Sequence, residues 1–78
     1  MAELLAYLAR ELVDDPEAVR VEQEERDGAL DLVLHVAEDD VGKVIGRQGR
    51  IARSLRTLVR ASAARDGRRV LVEIADPE

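Results

Sequence analysis

Residues 42–59 read GKVIGRQGRIARSLRTLV, and the rest of the chain is best read outward from this run. Val41, Val44 and Ile45 share one face of a short helix for which Asp39 or Asp40 supplies an N-cap. Gly46 ends that helix, Arg47 and Gln48 follow, and Gly49 opens a longer one. In the longer helix Ile51, Leu55, Leu58, Val59 and Ser62 fall on one side, while Arg50, Arg53, Arg56 and Arg60 lie on the other. A tight turn is thereby set against a helix start, where backbone N–H groups lack intrahelical acceptors and the helix dipole is positive. An anion suits that position. Glycine on both sides lets a phosphate approach the backbone with no Cβ in the way, and Arg47, Arg50 and Arg53 add charge. Two other phosphate loops are disfavoured, since neither pattern is present. A Walker loop needs lysine and then Ser or Thr after its last glycine, and a dinucleotide fingerprint needs a single residue between its first two glycines.

Upstream of this run, Leu30, Leu32, Leu34 and Val36 alternate with Asp31, Val33 and His35. Before them, Val19 and Val21 alternate with Arg20 and Glu22. The Asp27-Gly28 pair between these two stretches predicts a hairpin of antiparallel strands, the second one central enough to hold four large apolar side chains on one face. Earlier still, Leu4, Leu5, Leu8 and Leu12 form the apolar stripe of a helix predicted over residues 2 to 13, which Asp14, Asp15 and Pro16 stop. Downstream, Asp66-Gly67 closes the long helix, and Val70, Val72 and Ile74 alternate in a last strand before Asp76-Pro77-Glu78. The order α-β-β-α-α-β predicts a single α+β domain over residues 1–78, a three-stranded sheet with its helices packed on one face.

Composition narrows the function. A chain of 78 residues has room for one core, and 46% hydrophobic with 37% charged residues is the make-up of a folded domain rather than a disordered one. The absence of cysteine removes disulfides, thiolate chemistry and cysteine-based metal sites. One histidine, His35, on the polar face of its strand is a poor metal or catalytic centre and reads as a surface or strand-edge residue. Glu22, Glu24, Glu25 and Asp27 form a solvated acidic edge with no nucleophile beside them, so no enzyme activity is expected. The N-terminus, with Glu3 and Glu11 among its apolar residues and no basic region before them, reads as neither a signal peptide nor a membrane span, and a cytoplasmic location is expected. Charge is segregated. Residues 41–69 hold nine basic residues and one acid, a net +8, whereas the remainder carries −13. That segregation points to an anionic partner, with the competing reading that the arginines neutralise the acidic half inside the folded protein.

The run Ile45-Gly46-Arg47-Gln48-Gly49 between two helices, within this element order, resembles a K-homology (KH) domain of the type II fold. The resemblance covers the whole chain, which is similar to the small bacterial KhpA family of RNA-binding proteins. It implies that Gly46, Arg47, Gln48 and Gly49 clamp the backbone of single-stranded RNA, with Lys43, Arg50 and Arg53 adding charge nearby. It also implies an apolar groove for bases formed by Val44, Ile45, Ala52 and the strand holding Leu32 to Val36. Core packing is the competing reading for Val44, Ile45 and Ile51, and a solvated helix face for Arg56 and Arg60. Further implications are no cofactor, no metal, no membrane, a role as RNA chaperone or post-transcriptional regulator, and a homodimer or a heterodimer with a KhpB-like KH protein. Tyr7 is the only aromatic residue, so aromatic stacking platforms are not available and binding should rest on phosphate contacts and a few base-edge hydrogen bonds. Arg60 lies about 15 Å beyond Arg50 along a helix, past the ~8 Å screening length, and is expected to add little to a clamp centred on the turn. A protein-interaction subunit with incidental RNA contact and a sensor of small anions or nucleotides are the alternative functions.

Overall fold

The alternating stretches of residues 20–35 fold as the predicted hairpin. In the computed structural model, which describes residues 1–75, β1 (Arg20–Arg26) and β2 (Ala29–His35) are antiparallel, in register from Arg20↔His35 to Arg26↔Ala29. Asp27 and Gly28 join them with φ of 51° and 81°, the two positive values that a type I′ turn requires. On its other side β2 pairs in parallel with β3 (Arg69–Ile74), from Ala29↔Arg69 to Leu34↔Ile74. Parallel neighbours need a crossover connection. Here it consists of α2 (Val41–Ile45) and α3 (Arg50–Arg65). With α1 (Ala2–Arg10) preceding the hairpin, the chain has the order α-β-β-α-α-β around a mixed sheet ordered β1-β2-β3, an α+β fold. The segment Asp76-Pro77-Glu78 lies outside the described residues.

The helices pack on the inner sheet face through Leu30, Leu32 and Leu34 of β2 and Val70 and Val72 of β3. Leu5, Leu32, Leu34, Val44 and Val59 are fully buried, each stabilising the fold by about 1.5–3 kcal/mol. Val36, expected to complete four apolar residues on one face, follows the end of β2 and is only partly buried against the core. Both long helices turn out slightly rotated from the sequence reading. α1 buries Leu5, Ala6 and Ala9, with Leu4 and Leu8 at the margin and Leu12 exposed. α3 buries Ala52, Leu55, Val59 and Ala63, leaving Ile51 half-buried and Leu58 53% exposed. Small alanines permit close approach of a helix to a sheet, so they face the contact while some larger apolar residues are displaced outward. α1 also ends at Arg10, short of residue 13, because Leu12 N–H closes onto the Ala9 carbonyl (3.0 Å), tightening the last turn.

The outer face of the sheet is polar, and one pair on it is strained. Asp31, 8% exposed on β2, lies diagonally across from Glu73 on β3, two residues beyond its register partner Leu71, and its Oδ1 is buried with no hydrogen-bond partner among the described residues. Arg26 reaches it only at 4.0 Å, engaged more closely with Glu24. Hydrogen bonding to Asp31, and repulsion from its charge, hold the Glu73 carboxyl above the ordinary carboxylate value. His35 is half-buried on this face and bonded to Glu22 rather than at an edge, since β2 is central. A carboxyl whose pKa is raised by folding stabilises the protein below its unfolded value, and that contribution is lost as pH rises through the folded one. Glu73→Gln, which removes one charge and places an amide donor near Asp31, should therefore raise the melting temperature at pH 7. Thermal unfolding followed across pH should show this gain shrinking towards pH 4, and a gain of constant size would mean that the carboxylate pair is not its source.

Candidate nucleic-acid interface

A helix of five residues does not persist without tertiary support, so α2 needs outside anchors. Asp40 occupies its N-cap position without capping it. The Asp40 carboxylate, in a residue only 2% exposed, instead accepts the backbone N–H groups of Asp14 (3.2 Å) and Asp15 (3.1 Å). It thus ties the segment after α1 to the start of α2. Lys43 completes this staple, bonded to Asp14 and 3.7 Å from Asp40, and the Asp14 hydrogen bond raises its ammonium pKa. Lys43, by sequence a candidate phosphate ligand, has its charge engaged with Asp14 and Asp40. The pairing joins residues 26 and 25 positions apart, so no local pattern announces it.

The turn itself runs through three left-handed residues. Gly46 has φ 76° and ψ 175°, Gln48 has φ 57°, and Gly49 has φ 75°. Gly46 N–H bonds the Gly42 carbonyl (2.9 Å) and Gly49 N–H bonds the Gly46 carbonyl (3.2 Å), which closes the turn without side chains. A Cβ on Gly46 would stand 2.6 Å from Ile51 Cγ1, whereas one on Gly49 would meet nothing within 4 Å. Gly46 is therefore fixed by packing as well as by dihedral, and the side chain it excludes belongs to the first turn of α3. No side chain caps α3; its Arg50 N–H bonds the Arg47 carbonyl, and its positive dipole end faces the turn. Arg47, Gln48 and Arg50 are exposed around it, with Arg53 one helical turn further on.

The apolar groove expected beside the turn is corrected in part. Val44 has no exposed surface and belongs to the core, and Ala52 retains 5%, so neither offers a base a face; Ile45 is half-buried. Leu32 and Leu34 are likewise fully buried, and β2 has a hydrogen-bonded neighbour on each edge. The free strand edge beside the helices is that of β3. There Arg56, read from sequence as a solvated residue or an RNA contact, donates from Nε to the Val72 carbonyl (3.1 Å) and pins α3 to the sheet. The nine basic residues of the positive segment are also sorted. Among the described residues only Lys43 and Arg68 lie within 4 Å of a carboxylate, which leaves Arg47, Arg50, Arg53, Arg56, Arg60, Arg65 and Arg69 unpaired. Internal neutralisation does not account for the segregation.

Two helices meeting at a Gly-x-x-Gly turn, inserted between parallel strands of a three-stranded α-β-β-α-α-β sheet, define a KH domain of type II. Comparison with known proteins narrows the class. The sequence profile of the KhpA/KhpB KH domain matches residues 2–74. The RNA-binding protein KhpA of Caldanaerobacter subterraneus is 49% identical over 74 residues, covering 95% of this chain and 99% of that protein. Its namesake in Treponema pallidum is 54% identical over 74 residues, covering 95% and 92%. In a crystal structure of an Era variant from Aquifex aeolicus the same fold recurs with a TM-score of 0.64 at 21% identity, over 94% of this chain but 28% of that one. The chain belongs to the KhpA/KhpB KH-domain family. The family is one of binding proteins, in agreement with the expectation of a non-enzymatic domain.

The two glycines should differ sharply on substitution. Gly46→Ala combines a left-handed alanine with a clash against Ile51 and should destabilise by about 2–4 kcal/mol. Gly49→Ala carries the dihedral cost alone, about 1–2 kcal/mol. Chemical denaturation of the two variants measures the difference, and equal losses would mean that Ile51 yields freely to an added Cβ.

Proposed function

We propose that this protein binds single-stranded RNA through the turn Gly46–Gly49, holding the sugar-phosphate backbone against the start of α3, and that it acts in the cytoplasm as an RNA chaperone or post-transcriptional regulator. The observation that carries the reading is the uncapped start of a 16-residue helix, faced by a turn whose exposed Arg47 and the neighbouring Arg50 and Arg53 have no acidic partner among the described residues. Membership of a family whose relatives are named RNA-binding proteins supports it. Arginine suits the task because its planar donors match phosphate oxygens and its charge does not titrate. Pairing with a second copy or a KhpB-like KH protein belongs to the same proposal, supported by the family's joint KhpA/KhpB description. The rival, a protein-interaction subunit, draws on the exposed Leu58 and Tyr7, which are 53% and 59% accessible.

Replacing Arg47 and Gln48 together by Asp decides between them. Both side chains are exposed, and Asp accepts the left-handed backbone at position 48 at least as well as Gln, so the fold should persist. Gel shifts should show loss of RNA binding while the circular dichroism spectrum stays that of the parent. Unchanged affinity in the folded variant would remove the turn from the binding site.

Salt gives an independent measure. With roughly three phosphates neutralised, the log–log dependence of affinity on salt should have a slope of about −2. A slope near zero would show that binding is not led by phosphates.

A further inference from the structure

Where α3 passes the start of β3, well away from the turn, a shallow groove opens between Ala29, Arg60, Arg68, Arg69, Val70 and Leu71. Half of its lining is arginine. Arg60 and Arg69 are exposed and meet no carboxylate within 4 Å among the described residues, and Arg68 meets one, Glu25, only at 3.8 Å. Three like charges gathered on one groove repel each other, and an anion entering it relieves that repulsion. Its accessible apolar lining is Leu71, 52% exposed, next to the almost fully buried Val70.

The cations are held by rigid backbone. α3 ends with Gly67 at φ 72°, its N–H bonded to the Ala64 carbonyl (3.0 Å), and with Arg68 N–H bonded to the Ala63 carbonyl (2.9 Å). These are the paired hydrogen bonds of a Schellman cap. Arg69 follows directly as the first residue of β3, paired with Ala29. Little ordering is left for a ligand to impose on the backbone here.

A cationic path joins this groove to the turn. Arg53, Arg56 and Arg60 recur at intervals of three and four along one side of α3, and the Arg56 bond to Val72 shows that this side faces β3. The row spans about 10 Å at 1.5 Å per residue. Arg60 itself is too far from the turn to strengthen binding there through screened charge, so any contribution it makes requires a phosphate of its own.

We propose that the groove of Arg60, Arg68 and Arg69 is a second phosphate subsite, which receives the backbone of the same single-stranded RNA after it leaves the turn. The inference rests on the RNA-binding reading above and extends the contact beyond the segment held at Gly46–Gly49. Arg60 and Arg69 each take a phosphate, while Leu71 presents an apolar surface to the intervening sugar or base.

The test compares two single-stranded RNAs, one of about 4 nucleotides, the length a KH turn holds, and one of about 10. Both are titrated by fluorescence anisotropy into the parent protein and into the double variant Arg60→Ala, Arg69→Ala. The short RNA should bind both proteins alike. The long RNA should bind the double variant about tenfold more weakly than the parent, with the salt slope shallower by about 1.4, two contacts at ~0.7 each. The Lys pair, Arg60→Lys with Arg69→Lys, should keep most of the parent's affinity for the long RNA. Equal weakening of both lengths would reveal a general field effect and overturn the subsite, as would a double variant that binds the long RNA as tightly as the parent does. Loss of the parent's advantage on the long RNA when inorganic phosphate is added at low millimolar concentration would assign the groove to a free anion, again overturning it. Failure of the parent to bind either RNA would overturn the RNA reading itself, whereas intact short-RNA binding with no effect of the double variant overturns the subsite alone.

Discussion

Ile51 rests against the bare Cα of Gly46, at a separation that no Cβ could share. That contact lets a five-residue helix stop, reverse and hand over to a sixteen-residue one within four residues. If the two helices were held further apart, Val44 and Val59 could not both stay in one core, and the start of α3 would not face the turn. The packing constraint and the geometry of the turn therefore share one residue. A turn built this way is tied to the stability of the whole domain, because what would loosen it would also open the core beneath.

Two side chains bonded to backbone complete the frame. Asp40 takes the N–H groups of Asp14 and Asp15, joining the first helix's exit to the second helix's entry. Arg56 takes the Val72 carbonyl at the free edge of β3, joining the third helix to the sheet. Each satisfies backbone groups that no regular element would otherwise pair, and each is worth more than an exposed ion pair because a charged partner strengthens the bond and part of it is out of water. Together they fix α2 and α3 at their outer margins, where the small apolar core supplies least.

Electrostatics then separates the two halves of the surface. Acidic residues crowd β1 and the outer sheet face, and there they meet basic partners in Arg20, Arg26 and Arg68. The arginines of the turn and of α3 have none among the described residues. A protein with a net charge of −5 can still present a polyanion with a positive surface, since screening over ~8 Å lets each face act almost by itself. The price of that arrangement is a strained patch elsewhere, visible in the Asp31–Glu73 pair.

Much of this was legible in the residues. The period of two in residues 29–35, the Asp27-Gly28 pair and the glycine-bounded turn between two helical patterns determine the hairpin, the central strand and the KH architecture, because each depends on neighbours within a few positions. The clustering of arginine after Gly46 is likewise a property of the chain. Tertiary structure alone decided which of these residues are free. Val44 looks like a groove residue and Lys43 like a phosphate ligand until long-range packing buries the one and gives the other Asp14 as a partner. Leu58 belongs to the apolar pattern yet lies outside, since a helix shows its smallest side chains to a sheet it must approach closely. Arg56 and Arg60 are one turn apart and identical in type. Only the path of β3 past α3 makes one a staple and leaves the other open, for the contact that distinguishes them joins residues 16 positions apart and no local rule encodes it.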